Sequence, residues 1–162
     1  MEKDVKAMSD AEILERIVCL AFYGESQKFE TFCQKLREGL PPGTEVALRG
    51  SVVTNEKWSS GGPFDHDGPG TSDLDVNLVG KAVLKCWADE YFYIPKVHTK
   101  PLNDQCPEAA PALNPLRILL QDLVGRPVNF QASAELLLEA RDTFFGQPYF
   151  KILCEEKDEE AS

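Results

Sequence analysis

The sequence predicts an α/β domain of the α+β kind, with a mixed sheet flanked by helices, on three observations. Two amphipathic helical patterns open the chain. Short runs at 45–49, 73–79 and 126–131 alternate apolar with polar residues, as half-buried strands do. Further helical patterns separate and follow those runs, which suits helices laid on a sheet. At 162 residues the chain is long enough for one domain with a real core, expected over 1–153, followed by an acidic tail at 154–162.

The first helix is expected over 10–22. Ser9 and Glu12 form a capping box, and Ile13, Leu14, Ile17, Val18 and Ala21 recur at helical spacing. Gly24 ends it. Ser26 caps a second helix whose apolar stripe is Phe29, Phe32, Cys33, Leu36 and Leu40, and Pro41-Pro42-Gly43 stops it. A strand at 45–49 runs into Gly50-Ser51, then a short helix. The stretch 59–70 is a loop by composition, with His66 a polar loop tip. A strand at 73–79 precedes a helix over 81–90 with Val83, Leu84 and Trp87 inward. The proline-rich stretch 95–111 reads as a long crossover loop, with His98 on its surface. Pro115 sits in the first turn of a helix running to about Val124, with Leu116, Leu119, Leu120 and Leu123 apolar. A third strand at 126–131 follows. Ser133 caps a last helix carrying Leu136, Leu137 and Ala140, and 144–153 packs back onto the body.

Composition narrows the function classes. Hydrophobic residues at 43% and charged residues at 27% fit an ordinary globular protein. No apolar run approaches the roughly 18 residues that cross a bilayer, and the charged start Met1-Glu2-Lys3-Asp4 argues against a signal peptide. Cys19, Cys33, Cys86, Cys106 and Cys154 are scattered, with no Cys-x-x-Cys pair. They suit reduced thiols and a cytoplasmic location better than a disulfide framework or a zinc site. A net charge of −10 weighs against non-specific nucleic-acid binding, which depends on Lys and Arg. A small phosphorylated ligand escorted by a divalent cation is compatible with it.

The chemistry concentrates in Gly50-Ser51 and in Ser72-Asp73-Leu74-Asp75. A glycine at a strand-to-helix turn lets backbone N–H groups approach a phosphate, and Ser51 adds a hydroxyl. Alone, such a pair is usually only a turn. Asp73 and Asp75 alternate with Leu74 and Val76, so both carboxylates leave the same face of a strand, within reach of one Mg²⁺. Asp is depleted in strands and like charges on one face repel, so a cation gives a reason for the pair; a solvated edge strand is the alternative. Asp65 and Asp67 do not sit at the offsets of a calcium-binding loop.

Two helices, a strand ending in Gly50-Ser51, and a strand beginning Ser72-Asp73-Leu74-Asp75 resemble the nucleotidyltransferase superfamily of polymerase-β-like domains, in a minimal single-domain form. The resemblance covers 45–131. It implies a mixed, largely antiparallel sheet with helices mainly on one face, and Gly50 near the aspartates. It further implies that Gly50, Ser51 and Ser72 contact a nucleoside triphosphate, with ATP first among candidates, and that Asp73 and Asp75 carry Mg²⁺. The implied activity is nucleotidyl transfer to an unspecified hydroxyl acceptor. Where the family has a third carboxylate, this chain has Asn129 with Gln131 beside it, and Asn129 Oδ1 is expected to face the metal beside Asp75. A neutral amide is no base, so a non-catalytic nucleotide-binding or regulatory domain is the alternative implication. Asp65 or Asp67 is the replacement if the loop folds back. The inserted loop 59–70 is a second departure, tolerable because loop length costs little.

Overall fold

The computed structural model describes residues 7–55, 62–68 and 70–153; the acidic tail lies outside them. The helices are α1 (Asp10–Ala21), α2 (Ser26–Gly39), α3 (Ser51–Thr54), α4 (Lys81–Leu84), α5 (Asn114–Val124) and α6 (Glu135–Phe145). The strands are β1 (Glu45–Arg49), β2 (Leu74–Val79), β3 (Phe92–Ile94), β4 (His98–Thr99), β5 (Val128–Ser133) and β6 (Tyr149–Leu153). They form one mixed sheet in the order β3-β4-β5-β2-β1-β6. Among the described residues, only β2 and β5 pair in parallel, in the register Leu74 to Val128 through Val79 to Ser133. The β1–β2, β1–β6, β3–β4 and β4–β5 pairs are antiparallel. The α+β class and the mixed, largely antiparallel sheet are those read from sequence.

The main core lies on the face formed by Val46 and Leu48, by Leu74, Val76 and Leu78, and by Val128, Phe130 and Ala132. Ile13, Ile17 and Ala21 of α1, Phe32 and Leu36 of α2, and Leu120 and Val124 of α5 close over it. Phe22 meets Phe29 and Phe32 edge-on, each with ring centroids 5.1 Å apart, the geometry aromatic quadrupoles favour. The other face is covered in part by α6, whose Leu138 packs on Ala47 and Val79. Helices therefore occupy both faces, unequally.

Several local expectations are corrected. The Ser9–Glu12 capping box is present, but in α2 Glu25 holds the N-cap position without a side-chain capping bond, and Ser26 is already helical. The helix expected over 81–90 stops at Leu84, and a 3₁₀ turn follows at Asp89–Tyr91. Trp87 is buried between them, its Nε1 donating to the Lys100 carbonyl at 2.9 Å. The stretch 95–111 is not a plain loop. It lays β4 along β5 and adds a bridge from Leu102 to Phe130, so sheet pairing satisfies its backbone groups. In α5 the inward phase runs Leu113, Arg117, Leu120, Val124, and Leu119 is exposed. Arg117 can be buried because Asp104, Asn114, Gln121 and the Val128 carbonyl accept from it. Ser133 ends β5 instead of capping α6; Ala134 takes that place, and the helix phase turns Leu138 inward and leaves Leu136 exposed. β6 packs back on β1 as expected, whereas Phe144 and Phe145 stay exposed.

Candidate functional site

Asp73 precedes β2 and Asp75 is its second residue. Across the sheet, Asp75 stands opposite Arg49 of β1 on one side and Asn129 of β5 on the other; Arg49 in turn stands opposite Tyr149 of β6. One row on the α6 side therefore reads Tyr149, Arg49, Asp75, Asn129. Asn129 Nδ2 donates to Asp73 Oδ2 at 2.9 Å and to Asp75 Oδ1 at 3.1 Å. The amide thus offers its NH₂ to the carboxylates instead of the expected Oδ1, because two acceptors face it.

Gly50 ends β1 with φ of +80° and starts the single turn of α3, whose first residue is Ser51. A Cβ at this position would fall 2.8 Å from Asp75 Oδ2, so the Gly-Ser turn lies directly against that carboxylate. Asp75 titrates above the ordinary aspartate range. Burial is the chief cause, ahead of repulsion from Asp73; the Asn129 hydrogen bond and the Arg49 and Arg141 charges pull it back.

One oxygen from each aspartate converges on a single NH₂ donor. A cation replacing that donor would need both to close from about 3 Å to the ~2.1 Å of an Mg–O bond, a modest side-chain adjustment. Two carboxylates converging in this way could supply two of a divalent cation's ligands. Among the described residues, no group of three or more His, Cys, Asp or Glu gathers that could hold a metal ion.

Asp65, the proposed replacement, is committed elsewhere. Its Oδ1 and Oδ2 accept from Arg126 Nη1 at 2.6 Å and Nη2 at 3.0 Å. Ser72 belongs to the same network. Its side-chain oxygen accepts from the Asp65 N–H at 2.7 Å, its N–H donates to Asp65 Oδ1, and its carbonyl accepts from Arg126. Ser72 is buried in this latch, not open toward a ligand. Asp67 and His66 are exposed on the turn.

His98 is half-buried and hydrogen-bonded into the sheet. Its Nδ1 is 2.9 Å from Ser133 Oγ and its Nε2 is 3.2 Å from Gln131 Nε2. The Gln131 amide can only donate there, so Nε2 accepts and Nδ1 carries the proton. Burial, then the charges of Arg141 and Arg49, push His98 down to about 4. The sequence reading also passed over Arg49 and Arg141. Arg49 was legible in principle, since strand alternation puts it on the face opposite Val46 and Leu48, beside Gly50. Arg141 was not, because nothing local in the sequence says which face of its helix turns toward the sheet.

Comparison with known proteins finds no matching family model, no matching curated protein and no matching solved structure.

Proposed function

We propose that this chain is a metal-dependent nucleotidyltransferase-like domain, which binds a nucleoside triphosphate with Mg²⁺ and passes a nucleotidyl group to a hydroxyl acceptor. The observation that carries the reading is the packing of the Gly50 turn against Asp75, beside an Asp73 carboxylate drawn to the same point. Asp73 and Asp75 would hold the cation, the Ser51 hydroxyl would donate to a phosphate oxygen, and Gly50, lacking a side chain, leaves that approach open. The cation would supply Lewis acidity at the reacting phosphate and align the attack. Asn129 keeps the two carboxylates converged.

A second reading, a non-catalytic nucleotide-binding or regulatory domain, is favoured by the same Asn129. It holds the two carboxylates with a neutral donor and takes no proton from an acceptor hydroxyl. Wild-type protein is therefore expected to bind ATP with Mg²⁺ and to transfer slowly or not at all. The test is calorimetry beside a radiolabelled nucleotide-transfer assay on wild type, Asp73→Asn and Asn129→Asp. Asp73→Asn should abolish Mg²⁺-dependent binding, and Asn129→Asp should raise metal affinity and transfer. Equal ATP affinity with Mg²⁺ and with EDTA would end the metal reading. Robust wild-type transfer would show that two aspartates suffice.

A further inference from the structure

Arg49 and Arg141 have no use in that scheme, and their placement is costly. Arg49 lies in the polar row between Asp75 and Tyr149. Arg141 comes from α6, one turn beyond Leu138, the residue that seats the helix on the sheet. Burial, then the charge of Arg141, pulls Arg49 down to about 10, and both cations act on His98. Their hydrogen bonds go to neutral amides. Arg141 Nε donates to Gln147 Oε1 at 2.8 Å, and Arg49 Nη2 reaches Gln131 Oε1 only at 3.4 Å. Neither forms a salt bridge among the described residues. Arg49 Nε and Arg141 Nη1 are buried and have no hydrogen-bond partner among the described residues.

Unpaired donors on neighbouring, desolvated cations are a local conflict that a packed core does not need. Among the described residues, the carboxylate whose charge acts on both guanidiniums is Asp75. Its Oδ1 accepts from Asn129 and its Oδ2 faces Gly50. Guanidinium forks match a tetrahedral oxyanion with several acceptor oxygens, and a dianion balances two of them.

We propose that Arg49 and Arg141, with Gln131 alongside, form a phosphate-binding subsite on the α6 side of Asp75. It stands on the arginine pair and does not require the metal or the nucleotide. The phosphate belongs either to the nucleotide's own tail or to a phosphorylated acceptor.

The probes are inorganic phosphate and pyrophosphate, added to the full chain in low salt with EDTA. Arginine Nε–H resonances of ¹⁵N-labelled wild type are the first readout. Those of Arg49 and Arg141 should shift and saturate, and that of the exposed Arg37 should not. Arg49→Gln and Arg141→Gln should weaken pyrophosphate binding roughly ten- to a hundredfold, the loss of one charge-assisted contact, while Arg37→Gln leaves it unchanged. Arg141→Gln should also raise the urea midpoint of the ligand-free protein, because it relieves repulsion; an arginine that merely supports the fold would lower it. No saturable shift at either arginine up to about 20 mM pyrophosphate would overturn the subsite. So would unchanged affinity in a folded Gln variant. If Arg49→Gln does not fold, the wild-type resonances and Arg141→Gln still decide. Repeating the phosphate titration with ATP and Mg²⁺ present assigns the source: displacement means the nucleotide's tail, persistence means the acceptor. Failure of ATP to bind would sink the nucleotide reading and leave the metal-free phosphate result standing.

Discussion

At Gly50 two independent restraints meet, a left-handed φ of +80° and the Asp75 carboxylate where a Cβ would stand. Gly50→Ala should cost about 1–2 kcal/mol from backbone conformation alone. It should also push Asp75 out of line, so Mg²⁺-dependent ATP affinity should fall more than stability does. Calorimetry and urea denaturation on one sample separate the two, and an affinity that tracks stability alone would argue against a site at the turn. His98 makes the second residue-scale prediction. Its folded value of about 4 lies below the ordinary 6.5, so the fold keeps the ring neutral. The unfolded chain takes up the proton first, and stability present above about pH 6.5 is lost as pH falls toward 4. Because the ring is only half-buried, solvent screening trims the effect to the order of 1–2 kcal/mol. His98→Gln should flatten that part of the stability–pH curve.

The described residues of the loop between α3 and β2 join a latch centred on Arg126. Arg126, fully buried, pairs with Asp65, bonds the Ser72 and Leu20 carbonyls, and stacks 4.6 Å from the Phe64 ring centroid. It fixes the backbone immediately before Asp73. Arg126→Gln should cost about 3 kcal/mol, since it strands the Asp65 charge. It should also weaken Mg²⁺ binding, although Arg126 touches neither aspartate in the hydrogen-bond network. A urea titration and a Mg²⁺ titration that moved independently would show that the latch does not position the pair. This element shows where sequence reading stops. β1, the start of α1 and the Asp75–Asn129 face were legible because alternation and a capping box act within a few residues. The latch was not, because Asp65 meets Arg126 only after the sheet has formed. Arg117 hid for a similar reason: the run Leu116, Ile118, Leu119, Leu120 has no single apolar phase, and the counter-charge and carbonyl that help make burying Arg117 tolerable come from the distant Asp104 and Val128. β3 and β4 are too short to show a period, and β5 supplies the pairing that β4 lacks on its own.

At the scale of the molecule, the sheet's centre is its one parallel pair, β2 with β5, and the chain between them contributes α4, β3, β4 and α5 before it returns. Parallel strands need such a crossover, and loop-closure entropy opposes the pairing until many contacts form together. The candidate site straddles this pair, with Asp75 on one strand and Asn129 on the other, so it exists only once the crossover is complete. Folding should therefore fall toward the slow, millisecond-to-second end for a domain of this size, with the barrier at β2–β5 pairing. Phe130 is fully buried on β5 and bridges to Leu102; Phe150 is half-buried on the edge strand β6. Phe130→Ala should cost about 3–5 kcal/mol, with much of the loss appearing as slower folding. Phe150→Ala should cost less and appear mainly as faster unfolding, because β6 adds to a sheet already formed. Stopped-flow urea chevrons on both variants provide the measurement. If Phe130→Ala folds at the wild-type rate and only unfolds faster, the central pair forms after the barrier, and the site is not an outcome of the rate-limiting step.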